Sequence, residues 1–318
     1  MVFSKCDAND PFSIKMYFDS LFMDREGLEK LLHLEKQRRG VDENSLVFIG
    51  MADVAAYYWC AMKSLYKNRK MELAFFASYL YDRLFYSLQL GLIKNLPQNP
   101  EEILRVGDEI GFNDIEQLLK ERAVSEDQAA FIKAGKVIVD EHGNQFLVIN
   151  PALSLEDIDV LQQWAKNRGI RVVNFDEAPP TVQGEIIEAA KAERYPTIRW
   201  NFAWDKYVIV GVPDGITNEF VYEFKTTKSK FLMNFLKPVA LTQADLYGYF
   251  FKRNRKRVQI YIAETGEIET WEVPVDIERA KTVLAKFKEV EMGLTPLPPK
   301  AWKCKSCEFA EVCTLRAG

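Results

Sequence analysis

Two acids and a lysine stand close together in VGVPDGITNEFVYEFKTTK, as Asp214, Glu223 and Lys225. Glu223 and Lys225 are two apart in an apolar, aromatic run that predicts a strand. Period-two alternation puts both side chains on one face and Phe224 on the other, toward a core. Asp214 belongs to the preceding strand, where Pro213 and Gly215 predict a bend. Pairing the two strands brings Asp214 beside Glu223. Close carboxylates repel unless a cation lies between them, and hard oxygen donors suit Mg²⁺ or Mn²⁺. A lysine beside them can orient an attacking water or neutralise charge on a phosphate under attack. Such residues fit metal-assisted hydrolysis of a phosphodiester. An acid–x–lysine triplet alone is common on solvated strands, so its neighbours decide its weight.

Two neighbours add to it. GEIIEAA puts Glu188 on a predicted helix just before the first strand, and Gln243 and Tyr247 are four apart on a helix after the second, sharing one face. Singly, Glu188 reads as a surface glutamate, Gln243 as an exposed polar residue and Tyr247 as core packing. The ordered set has no such plain reading.

The five cysteines carry a second chemistry. Cys304, Cys307 and Cys313 form C-x2-C-x5-C near the end of the chain, and Cys60 lies 244 residues before Cys304. An odd number in lopsided spacing is unlike a secreted disulfide framework and suggests metal in a reducing compartment. Four thiolates can hold a [4Fe–4S] cluster or a tetrahedral Zn²⁺. One distant ligand is less like a zinc ribbon, which uses two C-x2-C pairs. Cys6 has no evident partner and reads as a plain thiol, and the isolated His33 and His142 suggest no metal or catalytic role.

The elements that must position these residues are legible in outline. Helices are predicted over 12–38 and 51–92, with short polar helices over 101–132. KVIV–DEHGN–QFLVIN reads as a hairpin, Ser154 with Asp157 as the cap of a helix over 155–167, and RVVNF as a strand. A helix over 182–193 precedes KYVIVGVPDGI and FVYEFKTT, two strands joined by a tight turn. A helix over 240–251, the hairpin RVQIYIAE–IETWEVPV, a helix over 276–292 and a cysteine-bearing tail follow. Four regions result: a helical 1–94 carrying Cys60, a small αβ insert over 95–180, a core over 181–300 and the tail 301–318.

With 48% hydrophobic and 28% charged residues the composition is that of a globular protein, and no apolar run spans a bilayer. A cytoplasmic protein with no membrane partner is expected. The net charge of −4 excludes a globally basic surface, so any nucleic-acid site must be a local patch. Lys228, Lys230 and Lys237 after the acid–lysine strand, and Lys252, Arg253, Arg255, Lys256 and Arg257 after the Gln243 helix, are the candidate phosphate contacts. The second group reads equally as a solvated helix end. Trp200, Phe202, Trp204 and Tyr207 are candidate base-stacking rings, with core packing as their other reading.

The order Gly184…Glu188, Asp214, Glu223–Phe224–Lys225, Gln243…Tyr247 resembles that of the RecB-like PD-(D/E)xK nucleases. Cys60 in YYWCAMKSLY with the C-terminal C-x2-C-x5-C resembles their iron–sulfur branch, which includes the CRISPR-associated exonucleases and the AddB nuclease domain. The likeness covers about 50–70 and 180–316. Glu188 stands where the family has a histidine, and Ala61 where it has a proline. The resemblance implies an α/β (α+β), restriction-endonuclease-like core with a mixed central sheet flanked by helices. It implies a [4Fe–4S] cluster on Cys60, Cys304, Cys307 and Cys313. It also implies Mg²⁺ or Mn²⁺ at Asp214, Glu223, Phe224 and Glu188, with Lys225, Gln243 and Tyr247 completing the catalytic set. The expected activity is a single-strand DNA exonuclease, alone or with other proteins of CRISPR adaptation or DNA repair. A non-catalytic DNA-binding or assembly subunit and a zinc-stabilised RNA-processing protein are the alternatives.

Overall fold

A computed structural model describes residues 18, 25–121, 134–140 and 143–315; Cys6 and His142 lie outside them. Helix α1 (Arg25–Arg38) leads to β1 (Phe48–Gly50), a fully buried strand, and then to α2 (Met51–Ala55), a 3-10 turn over Ala56–Tyr58 and the long α3 (Ala61–Gln89). The continuous helix expected over 51–92 is therefore broken. Cys60 has extended geometry (φ −164°, ψ 118°) and stands as the N-cap of α3. The break lets α3 fold back across β1. There the Glu72 carboxylate accepts from the Val47 amide at 2.7 Å and the Asn68 side chain from Gly50 at 2.9 Å, so a buried strand edge finds its partners.

Helices α4 (Pro100–Ile103) and α5 (Phe112–Glu121) pack into the main body, Ile103 beside Phe76 and Leu80, and Ile115 and Leu118 in the central core. The separate small unit is shorter than the 95–180 span. It holds β2 (Gly135–Val139), β3 (Gln145–Ile149), α6 (Leu155–Asn167) and β4 (Arg171–Val173). β2 and β3 form the expected hairpin, β4 joins β3 in parallel, and Ser154 caps α6 by accepting from the Asp157 amide. One face of this sheet closes a small core of Leu147, Ile149, Ala165 and Ile170. On the other side, Val148 packs with Val182 and Ile186 of α7 (Pro180–Lys191). The unit thus braces the helix that carries Glu188.

The rest of the chain supplies β5 (Trp200–Trp204), β6 (Tyr207–Gly211), β7 (Gly215–Ile216), β8 (Phe220–Thr227), α8 (Lys230–Phe250), β9 (Arg255–Ile262), β10 (Glu267–Pro274), α9 (Ile277–Glu291) and α10 (Ala301–Cys304). Strands run β1-β6-β5 in one sheet and β10-β9-β8-β7 in another. β8 is antiparallel to β7 and parallel to β9, with α8 as the crossover that a parallel pair requires. Both sheets and helices α8 and α9 share one apolar core containing Ile209, Val221, Val258, Leu246 and Leu284. The fold is mixed α/β, with mixed sheets flanked by helices. The strand expected over 207–216 is split at Val212–Asp214, and α8 begins ten residues earlier than expected, at Lys230. WNFAW is a strand. Trp200 is buried against Tyr86, Phe202 packs on Phe250 and Phe251, and Trp204 stacks on Tyr207. Core packing accounts for all four rings. Among the described residues no helix is long and apolar enough to cross a membrane.

Candidate active site and cysteine cavity

Strand alternation sets up the site. Val221 of β8 and Val258 and Ile260 of β9 lie in the core that α8 covers. Glu223 pairs in register with Val258, and Lys225 with Ile260, so both project from the strand face that carries Val221. Glu223 is completely buried and forms an ion pair with Lys225. That contact apart, neither of its carboxylate oxygens has a hydrogen-bond donor. Buried polar atoms are rarely left in this state.

Asp214 sits in the gap between β6 and β7, where its Oδ2 accepts from the Phe224 amide at 2.7 Å. Gly215 follows because a Cβ there would lie 2.5 Å from Tyr195, which presses on the bend. Phe224 itself is buried, as alternation requires. Glu188 reaches the same cleft from α7. The close seating of α7 is visible at Gly184, where a Cβ would stand 3.3 Å from Thr226 Oγ1.

The electrostatics tie the four groups together. Burial, then the charge of Asp214, pushes the Glu188 carboxyl up to about 7, against the pull of Lys225. Burial raises Asp214, with Lys225 and the Phe224 amide opposing. Glu223 goes well above the usual carboxylate range, through burial and then Asp214. Lys225 loses by burial but gains more from Glu223 and Asp214, and ends above its ordinary value. Its side chain is 29% exposed, while the ammonium itself, paired with Glu223, lies inside the cluster.

Gln243 and Tyr247 lie where their spacing predicts, on the buried face of α8. Gln243 Nε2 donates to the Tyr247 hydroxyl at 3.1 Å, and that hydroxyl donates to the Val212 carbonyl at 2.9 Å. Burial, Glu223 and Asp214 push the phenol well up, so Tyr247 remains a donor and pins the bend that presents Asp214. Asp53 on α2 also faces this phenol electrostatically. It is buried and paired with Lys67 at 2.6 Å. Its isolation in sequence gave no sign of it.

The donor set fits a divalent cation. Three carboxyls are held against one another in a desolvated cleft, with Glu223 lacking donors, and a hard cation would relieve both the repulsion and the orphaned oxygens. Among the described residues no three His, Cys, Asp or Glu side chains are grouped so as to hold a metal ion.

The cysteines gather at a second place. Cys60, Cys304, Cys307 and Cys313 are all free thiols and line one cavity of about 110 Å³. Burial raises the Cys60 thiol; the Lys63 and Met62 amides of α3 pull it back, and Cys307 and Cys313 push it up again. Tail and helix are stitched by Lys303 Nζ donating to the Trp59 carbonyl at 2.7 Å, Tyr66 donating to the Val312 carbonyl at 3.2 Å, and a Lys70–Glu308 ion pair at 3.1 Å.

The basic run does not form the expected groove. Lys256 is fully buried in an ion pair with Asp245. Arg253 is buried, with Nε donating to the Thr217 carbonyl at 2.6 Å and its guanidinium on Glu116 at 2.9 Å. Arg257 bridges Glu193 and Glu272. These three lack free charge because α5, the loop after α7, α8 and β10 bring acids to them. Lys252 and Arg255 stay exposed, Lys252 over the Phe112 ring and Arg255 3.8 Å from Glu272. Lys228 and Lys230 are exposed at the end of β8 and the start of α8, and Lys237 lies over Trp271. His33 is engaged with Gln37 and Glu43.

No family profile matches the chain, and no curated protein matches it. A solved structure described as the crystal structure of SSO0001 is 19% identical, covers 52% of this chain and 81% of its own, and has a TM-score of 0.36.

Proposed function

We propose that the protein is a divalent-metal-dependent DNA nuclease acting as an exonuclease on single strands. The observation that carries this reading is the convergence of Glu188, Asp214, Glu223 and Lys225 on one cleft, with the Glu223 oxygens buried and lacking donors. Asp214, Glu223, Glu188 and the Phe224 position are the residues that would hold Mg²⁺ or Mn²⁺. The bound ion would supply an acidified water and charge neutralisation at the phosphate.

The chain's own groups do the rest. Lys225 keeps its ammonium charged beside the carboxyls, placed for the charge that develops on a phosphate oxygen. Glu188, raised by burial and by Asp214 without a metal, is a carboxyl that a bound cation would hold ionised. The Gln243–Tyr247–Val212 chain of hydrogen bonds keeps the Asp214 bend in position. Cys60, Cys304, Cys307 and Cys313 would hold a [4Fe–4S] cluster. Brown, anaerobically purified protein is the expected outcome, and a colourless protein carrying one zinc would refute the cluster and leave the nuclease reading standing.

The test is cleavage of single- and double-stranded DNA labelled at either end, with and without Mn²⁺. Lys225→Ala should lower the cleavage rate by about a hundredfold, since one donor to a developing charge is lost, while DNA affinity stays within a few-fold. A variant that loses affinity and keeps its rate would place Lys225 in binding instead.

A further inference from the structure

Next to the cysteine cavity lies an aromatic surface that the nuclease reading does not use. Phe231 and Phe235, on the first turns of α8, meet Trp302 of α10 at ring separations of 6.1 and 5.2 Å, and Trp302 meets Trp59 edge-on at 5.7 Å. Phe231 keeps 61% of its surface exposed, although a ring of that size normally seeks the core. Two lysines sit among the rings. Lys303 lies 4.6 Å from the Trp59 ring centre and 5.1 Å from that of Phe235, and Lys300 lies 5.0 Å from Phe235. Among the described residues neither lysine has a carboxylate partner, in contrast to Arg253, Lys256 and Arg257.

We propose that Trp59, Phe231, Phe235 and Trp302, with Lys300 and Lys303, form the platform on which the bases of a single strand stack. Aromatic rings with cations that have no carboxylate partner answer both parts of a single strand: bases stack on rings whatever their identity, and phosphates meet the ammonium groups, Lys300 exposed and Lys303 held by the Trp59 carbonyl. A duplex keeps its base faces covered and cannot use the rings. The charge complementarity therefore points to one occupant, an unpaired polynucleotide. The address agrees, because Phe231 is only six residues beyond Lys225 at the end of β8. Trp59, Trp302 and Lys303 also line the cysteine cavity, so whatever fills the cavity sets the platform. The proposal deepens the nuclease reading and rests on it for the identity of the strand as DNA.

The experiment is fluorescence anisotropy with labelled oligothymidine and with a blunt duplex of equal length, both in EDTA so that binding is read without cleavage. Phe231→Ala combined with Lys300→Gln changes two exposed side chains and should keep the wild-type melting temperature. It should bind oligothymidine about tenfold more weakly, the scale of losing one stacked base, with the duplex affected less than twofold. Phe231→Tyr, which keeps the ring, should bind like wild type. Unchanged oligothymidine affinity in the double variant overturns the platform and leaves the nuclease reading standing. Equal losses for strand and duplex overturn stacking in favour of bulk charge. A wild type that is dimeric, splits on Phe231→Ala and binds oligothymidine no differently would make the patch a subunit contact and also overturn it. A wild type that binds the strand but cuts nothing in Mn²⁺ refutes the nuclease and upholds the platform.

Discussion

Glu223 and Lys225 lie on β8 and Asp214 in the bend just before β7, which a tight turn joins to β8, and the helix bearing Gln243 and Tyr247 follows directly. The cysteine cavity joins residues 244 apart, from the start of α3 and the tail. The two sites also differ in energy. The acid–lysine cleft holds three carboxyls raised by burial, with the charge of Asp214 adding to Glu188 and Glu223, so keeping them charged opposes folding unless a cation offsets it. The cysteine cavity lies where a bound group would close a loop of most of the chain, so filling it favours folding. On the proposed reading, the cleft and the cavity should therefore respond to mutation in opposite ways.

The largest expected effect belongs to the cleft. Asp214→Ala should lower cleavage by about a thousandfold or more with no loss of melting temperature, measured on end-labelled single strands. Near wild-type cleavage would break the contrast at once. Cys304→Ser should do the reverse, costing about 3–5 kcal/mol of stability, the scale of a cross-link over a long loop, read by denaturant unfolding under anaerobic conditions. A Cys304→Ser protein as stable as wild type would mean that the cavity closes nothing.

A third effect is smaller and depends on pH. Glu188 is pushed up to about 7, and Asp214 and Glu223 are raised as well. The folded protein thus keeps protons that the unfolded chain releases at lower pH. Stability from these groups is fully present below the ordinary carboxylate range and is lost as pH rises through about 7. The melting temperature of metal-free protein should fall across that window, and Mn²⁺ should restore it most on the alkaline side. A melting temperature flat across the window would mean that the cleft stores no repulsion. The smallest effect is at the basic run. Lys252→Gln with Arg255→Gln should change oligonucleotide affinity less than twofold, whereas a tenfold loss would return the groove to that run.

The same contrast explains what could be read from sequence. Glu223, Lys225 and Phe224 alternate along one strand, and Gln243 and Tyr247 share one helix face, so local periodicity was enough to group them. Arg253 and Lys256 show the limit. Their charge looks free in sequence, but Glu116 lies 137 positions from Arg253 and Asp245 on the adjoining helix reaches Lys256, pairings that only the fold creates. Cys60 was legible as a candidate partner of the C-terminal cysteines, and the structure brings it to the same cavity. Its place at a helix break was not, because AYYWCAMKSLY has no glycine or proline to mark one. β1 escaped notice because LVFIG is too short for a pattern and gains its strand from parallel pairing with β6. Trp200 and Phe202 look like a binding surface only until β5 is seen to face the core.

The central claim is that the buried Glu223 carboxylate is kept for a cation at the expense of the empty fold. Glu223→Gln removes the charge and keeps the shape, so cleavage of end-labelled single-stranded DNA in Mn²⁺ and thermal melting in EDTA, measured on this variant beside wild type, test it most directly. The account predicts metal-dependent cleavage by wild type, none by Glu223→Gln, and a higher metal-free melting temperature for the variant. A variant that cuts as well as wild type, or that melts lower without metal, would contradict it.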